Sequence, residues 1–417
     1  MLVLISILVA TAALFGWVSA RVLKLPNTIG TMLLTAIGSL SLVLLSGIWP
    51  EPHEWAVAQI QQISFDRLIL HGMLSVLLFA GAFLLDLRGL KQQQVPVGLL
   101  AVFSTLISIV GVGAITFYTA RFFGYSPSPI ASLLFGALIS PTDPIAVLEM
   151  LHRVQTPKYI ESQLAGESLF NDGVGAVVFL ALLEAMRGSA PTFPHIGLEI
   201  LLAGGGGILL GAVLAVPIAM LMRTVKSAPI DILLSLALAL GGYAIADHMG
   251  ISAPLETVAA ALVLRLLIDN QPEERVANRD LNHFWKVVDE IQNAILFVLL
   301  GCEFLLIAFE RNAVFLGFSE IVIVNLLRVT SVGIVLLLLK MIQPKQKSSL
   351  AVLSWGGLRG GLSIALAISI PREFGLSWVV TSTYVVVAFS ILVQGGTMGA
   401  FLKRRRSSGE PKPLSDL

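Results

Sequence analysis

The chain has 417 residues, of which 56% are hydrophobic and only 13% charged, about half the charge of an ordinary soluble domain. That composition excludes a soluble enzyme and marks an all-α membrane protein of many spans. A formal net charge of +1, with the basic residues divided among loops, excludes a nucleic-acid surface, and the single Cys302 excludes an internal disulfide or a thiolate metal site.

Hydropathy divides the chain into about 13 spans, near 2–20, 27–48, 67–87, 94–120, 129–151, 161–186, 196–222, 229–247, 251–269, 284–309, 313–339, 348–371 and 377–402. Met1-Leu2-Val3-Leu4 has no basic flank, so the first segment reads as a membrane helix and not as a removable signal. Of the 27 Lys and Arg, 20 fall in the loops after odd-numbered spans or at the span ends beside them and 5 on the other side, with Arg328 and Arg359 deep inside spans. The positive-inside rule then puts the N-terminus outside and the C-terminus in the cytoplasm, with Lys403-Arg404-Arg405-Arg406 as the final anchor. The longest polar connection, Asp269 to Asp289 with Gln271-Pro272-Glu273-Glu274-Arg275, reads as an exposed cytoplasmic linker, and tryptophans such as Trp49, Trp55, Trp285 and Trp378 fit interfacial belts. Gly204-Gly205-Gly206-Gly207 in span 7 points to close helix packing. Compact loops and a short tail, 403–417, point to a prokaryotic cell membrane.

Two spans are interrupted. Span 5 carries Ser140-Pro141-Thr142-Asp143-Pro144, where each proline removes a donor and pushes its predecessor out of the helical region. Span 12 carries Gly356-Gly357-Leu358-Arg359-Gly360-Gly361, whose glycines each weaken a helix by about 1 kcal/mol relative to alanine. An offset of seven spans gives the two breaks opposite orientations, the expected mark of inverted repeats. Residues 1–187 form the first repeat, 196–222 a linking helix and 229–402 the second. Opposed half-helices bring positive and negative helix ends together at mid-membrane, where Asp143 balances the N-termini and Arg359 the C-termini.

Between the breaks, span 6 reads Gly166-Glu167-Ser168-Leu169-Phe170-Asn171-Asp172. Ser168, Asn171 and Asp172 stand at i, i+3 and i+4 on one helix face, with Glu167 on its flank. A charge at the centre of a membrane helix costs about 2.5–3.5 kcal/mol on insertion scales, so carboxylates stay there only when paired or used. The preferred arrangement pairs Glu167 with Arg328 and leaves Asp172 free to take a proton or a cation; pairing of Glu167 with Arg359 is the alternative.

These segments resemble the NhaP/NHE-type sodium/proton antiporters, as do Leu25-Pro26-Asn27-Thr28-Ile29-Gly30, Phe284-Trp285-Lys286-Val287-Val288-Asp289-Glu290 and Phe389-Ser390-Ile391-Leu392-Val393-Gln394-Gly395. The resemblance covers nearly the whole chain, with its motifs in the family's order. It implies a homodimer in which a six-helix core moves against a dimerisation region. It makes Asp172 the alternating ligand of proton and cation, with Ser168, Thr142, Asp143 and Glu167 completing or supporting a Na⁺ site. Asn171 would hold Asp172 and the unwound backbone, and Glu167 with Arg328 would form a structural ion pair. Many relatives carry an acid in span 3 near Leu78-Phe79-Ala80-Gly81-Ala82, where this chain has only Ala and Gly among its small residues.

Burial disfavours the charged form of any carboxylate, so a proton and Na⁺ would compete for the same oxygens. With Asn171 beside Asp172 there is no second acid in the pair, which leads to one-for-one, electroneutral exchange by alternating access and needs no cofactor. K⁺/H⁺ exchange on the same site is the alternative; Na⁺-coupled symport of an organic anion would need a roomier polar cavity. No metalloprotease or nucleophile-elbow motif supports an intramembrane hydrolase, and no repeated pore element supports a channel.

Overall fold

The computed structural model describes residues 2–23, 27–61, 72–154, 156–188, 193–225, 227–269, 275–302, 305, 310–344 and 346–407. Among these there is no strand, only helices. The first group is α1 (Leu2–Val18), α2 (Asn27–Leu45), α3 (Pro50–Gln61), α4 (Leu74–Leu84), α5 (Leu87–Gln92) and α6 (Gln94–Leu99), which runs through a π-turn at Leu100–Ser104 into α7 (Thr105–Phe122). Then come α8 (Pro129–Ile139), α9 (Ile145–Val154), α10 (Lys158–Arg187), α11 (Phe193–Thr224), α12 (Ala228–His248) and α13 (Ala253–Asp269). The last group is α14 (Arg275–Cys302), α15 (Arg311–Ile342), α16 (Leu350–Trp355), α17 (Gly361–Ile368), α18 (Ser377–Phe389) and, after a π-turn at Ser390–Gly395, α19 (Gly396–Ser407). Seven of the described helical segments are long and apolar enough to cross a membrane by length and composition, α10, α12 and α15 among them. Leu25, Pro26, Gln271–Glu274 and the end of the tail lie outside the described residues.

Every span expected from hydropathy meets a helix, and both expected breaks are present. α8 starts on a capped proline turn, with Ser128 Oγ accepting from Ala131 N at 3.1 Å, and stops at Ile139, before Pro141. The chain resumes as α9 at Ile145, whose N–H donates to Asp143 Oδ1 at 3.0 Å. α16 stops at Trp355 and α17 starts at Gly361, so each break leaves five non-helical residues, 140–144 and 356–360.

Three expectations are corrected. Much of the expected linker is helix: α14 begins at Arg275 and extends to Cys302. Its i, i+4 series of Leu281 and Trp285 points inward, and the flanking Asp280 and Lys286 mask that period in the sequence. Trp285 is accordingly no interfacial residue; it is fully buried against Phe79, with ring centroids 4.6 Å apart, and donates to Ser235 Oγ at 3.1 Å. Trp378 is likewise buried, near Phe135 and Tyr125. Trp49 and Trp55 are exposed, as expected.

Packing divides into a large core around α7–α10 and α15–α19, and a second around α4, α11, α12, α13 and the start of α14. Outward faces stay apolar, as with Leu201, Leu209 and Val213 on α11 and Val322, Leu326 and Val329 on α15, which suits lipid contact. The glycine run makes the close approach expected of it. A Cβ on Gly207 would stand 2.3 Å from Ser252 O, and one on Gly211, a turn further, 2.1 Å from Glu256 O, so α11 and α13 touch backbone to backbone. Gly205 faces open space. Gly211→Val should therefore cost about 1–3 kcal/mol by overpacking, read as a lower melting temperature of the detergent-solubilised protein. Gly205→Ala in the same experiment should melt with the parent; equal melting of all three would refute the backbone contact.

Candidate cation site

The two breaks cross. Asp143 and Leu358 form the one isolated β-bridge among the described residues, antiparallel, with Asp143 N donating to Leu358 O at 2.8 Å. Arg359 reaches back across the crossing, its Nη1 donating to Ser140 O at 2.8 Å and Pro141 O at 3.0 Å. Those are carbonyls left free at the C-terminal end of α8, where a cation also meets the negative end of the helix dipole. Arg328 serves the other break in the same way, donating from Nη2 to Leu353 O in α16 at 3.0 Å. The glycines of span 12 make the crossing possible: a Cβ on Gly360 would lie 2.3 Å from Asp143 Oδ2, and one on Gly357 2.6 Å from Arg328 Nε.

α10 passes the crossing at its midpoint, with Asp172 half-way along its 30 residues. Asn171 Oδ1 accepts from Thr142 N at 3.2 Å and Asn171 Nδ2 donates to Thr142 Oγ1 at 2.9 Å, so one amide side chain holds the main-chain N–H and the hydroxyl of the unwound residue. Thr142 Oγ1 and Ser168 Oγ are 2.9 Å apart. Gly175 lets α10 lie on the break, since a Cβ there would be 2.2 Å from Pro141 Cγ. Glu167 is fully buried and ion-paired with Arg328, so Arg359 is not its partner. Ser168, Asn171, Thr142, Asp143 and Asp172 are thus gathered around one point, while Glu167 faces away into its pair.

Asp172 differs from its neighbours. No hydrogen bond or ion pair from a described residue reaches its carboxylate. It instead lines a cavity of about 470 Å³ together with Thr142, Asp143 and Ser363. The cavity extends to Lys158 and Glu161 in the first turn of α10 and to Asp86 beyond the end of α4. Fourteen residues of helix, about 21 Å of rise, separate Lys158 from Asp172, so the cavity brings an outer face of the protein to the middle of the most buried of the long apolar helices described. Its remaining wall is largely apolar, with Leu77, Leu78, Leu84 and Leu148.

Asp289 also lines this cavity, from α14. Sequence reasoning did not select it, because it stood at the end of an expected linker; the Leu281–Trp285 period, continued by one turn, places it on the inward face. Asp86 caps α5 by accepting from Arg88 N at 3.1 Å and stands at the cavity wall. Gly81 lines the cavity with no side chain.

A family model described as "Sodium/hydrogen exchanger, transmembrane" matches residues 9–404. The chain belongs to the sodium/hydrogen exchanger family. It is 37% identical over 422 residues to the Na⁺/H⁺ antiporter NhaP of Pseudomonas aeruginosa, covering 100% of this chain and 99% of that protein. It is 30% identical to the Na⁺/H⁺ antiporter NhaH of Halobacillus dabanensis, over 92% of this chain and 93% of that one. Its fold matches the sodium proton antiporter MjNhaP1 of Methanocaldococcus jannaschii, solved at pH 8, with a TM-score of 0.74 and 19% identity over 97% of this chain and 98% of the other.

Breaking the buried pair should be costly. Glu167→Leu or Arg328→Met alone leaves an uncompensated buried charge and should destabilise the protein by about 3–5 kcal/mol. The double variant should recover much of this, though not all, because Arg328 also caps α16. Melting temperatures of the three variants check the ordering; a double variant no better than the worse single one would mean that the pair is not what holds these helices.

Proposed function

We propose that this exchanger carries Na⁺ one way and H⁺ the other across the cell membrane, one for one, with Asp172 the group that proton and cation share in turn. The observation that carries this is the carboxylate of Asp172 on the wall of a cavity that reaches mid-helix, beside an unwound segment rich in oxygen atoms. Na⁺ is a hard ion and suits such ligands: the Asp172 carboxylate, Ser168 Oγ, the Thr142 main chain and the Asp143 carboxylate. Asn171 positions Thr142, and Glu167 acts through Arg328 as the structural pair.

Charge at the crossing supports the stoichiometry. At the crossing itself, with Asp289 of the cavity wall left out of the count, Asp143, Glu167 and Asp172 oppose Arg328 and Arg359, which leaves one negative charge when all are ionised. A single proton or a single Na⁺ on Asp172 neutralises it. The loaded site then carries no net charge through the low-dielectric core, while the empty site does and is held back. A carrier with that rule exchanges its two ions and does not leak either. Because both loaded forms are neutral, turnover should not respond to membrane voltage.

The loop-charge asymmetry supports an outside N-terminus and a cytoplasmic C-terminus. In that orientation Lys158, Glu161 and Asp86 mark the cytoplasmic mouth of the cavity, so this conformation faces inward. A homodimer in a prokaryotic cell membrane, with a moving core of spans 4–6 and 11–13, accords with the family and with the apolar outer face of α11.

The test is cation-induced dequenching of a pH dye in proteoliposomes, with Na⁺, Li⁺ and K⁺ added in turn, with and without a valinomycin clamp. Parent protein should respond to Na⁺ regardless of the clamp, and Asp172→Asn, confirmed as folded, should be silent. A response to K⁺ alone would change the cargo, and parental exchange by Asp172→Asn would refute the site.

A further inference from the structure

We infer that Ser390, Gln394 and Asn325 are positioning residues for cation binding, holding the extended segment of span 12 so that Asp143 stays beside Asp172; this rests on the exchange site proposed above. Ser390 and Gln394 belong to the π-turn between α18 and α19, and both are buried, 1% and 2% exposed. A π-turn inserts an extra residue into a helix and is found mostly where it serves a site. Here it directs both side chains at the second break.

The hydrogen bonds form one directed chain. Arg359 N donates to Ser390 Oγ at 2.8 Å, Ser390 Oγ donates to Gln394 Oε1 at 2.7 Å, and Gln394 Nε2 donates to Asn325 Oδ1 at 2.8 Å. Asn325 Nδ2 ends the chain on Ile321 O at 2.8 Å, within α15. Asn325 lies one turn before Arg328, so the helix that supplies the counterion of Glu167 also anchors this chain.

The held peptide is the one that fixes Asp143. Leu358 O accepts from Asp143 N, the Arg359 side chain holds Ser140 O and Pro141 O, and Gly360 abuts the Asp143 carboxylate. Displacement of the 358–360 backbone therefore displaces Asp143 relative to Asp172. The first break is held by the same device: Thr142 N is bound by Asn171 of the span that follows it, as Arg359 N is bound by Ser390 of the span that follows the second. Each unwound amide is thus gripped by a buried polar side chain of the next span. On the first side that residue adjoins Asp172; on the second the grip is relayed to α15.

Loss of the grip should weaken cation binding more than turnover. In the dequenching assay, Gln394→Ala and Ser390→Ala should raise the apparent KM for Na⁺ about tenfold, the size of one lost hydrogen bond, while the rate at saturating Na⁺ stays within about twofold. Because H⁺ and Na⁺ compete, a weaker cation site loses to the proton until the pH is higher, so the activity profile should move to alkaline pH by up to about one unit. Ser390→Thr keeps the hydroxyl and should behave as the parent. If Gln394→Ala does not fold, Asn325→Ala, at the less buried end of the chain, carries the same expectation. Unchanged KM and pH profile, with only a lower melting temperature or rate, would reduce the set to packing and overturn the inference. Asp172→Asn in the same preparations separates the two readings: its silence with an unchanged Gln394→Ala sinks this inference alone, and its parental activity removes the site and this inference together.

Discussion

Two stretches of non-helical backbone at mid-membrane are the constraint that the rest of the structure answers. An unsatisfied peptide group in hydrocarbon costs several kcal/mol, so irregular backbone survives at that depth only where protein or a water-filled cavity receives it. Here each stretch is partly the solution for the other. Asp143 N and Leu358 O satisfy one another, Arg359 takes the carbonyls at the end of α8, and Arg328 takes that of Leu353 in α16. The glycines at 357 and 360 follow from this, since a side chain at either would occupy the space of Arg328 or Asp143.

Once the arginines are committed to carbonyls, the arrangement of the acids is nearly forced. A buried guanidinium needs a counterion as well as acceptors, and Glu167 on α10 provides it for Arg328. Asn171, four residues on, holds Thr142. Asp172, the next residue, is turned off that contact face by about 100° of helix and meets the cavity. One helical surface therefore does two jobs side by side: a neutral and ion-paired strip braces the break, and a carboxylate faces the cavity. The separation is one residue wide.

Much of this was legible in the chain alone. Prolines at 141 and 144 and glycines at 356, 357, 360 and 361 announce broken helices because their effect on backbone is local and independent of what surrounds them. The i, i+3, i+4 relation of Ser168, Asn171 and Asp172 is equally local. The partner of Glu167 was not decidable from sequence, because both Arg328 and Arg359 stand at similar depth and only packing separates them. Asp289 and Trp285 were misjudged for a related reason: Lys286, Glu290 and the polar residues before them gave α14 the composition of a loop, while its inward face is read only by following every fourth residue. The grip of Ser390 and Gln394 was hidden further, since the π-turn shifts their register and no 3.6-residue pattern would bring them to Arg359.

Alternating access asks something more of the contacts around the site: they must be able to part. The helices that carry the crossing meet α13 and α14 through leucine tips set against glycines. Leu255 of α13 sits where a Cβ on Gly173 would be, one residue past Asp172, and Leu296 of α14 does the same to Gly361. At both places the contact is a leucine side chain against a glycine backbone. By contrast α8, α10, α15 and the π-turn of span 13 are tied together by the hydrogen bonds and ion pair of the crossing. An interface of apolar tips on small residues can slide without leaving a buried donor or acceptor unpaired, whereas the crossing cannot be pulled apart without leaving several. A motion of the crossing as one body past α13 and α14 would keep Asp172 and its neighbours together, which is what the proposed exchange through a single site requires.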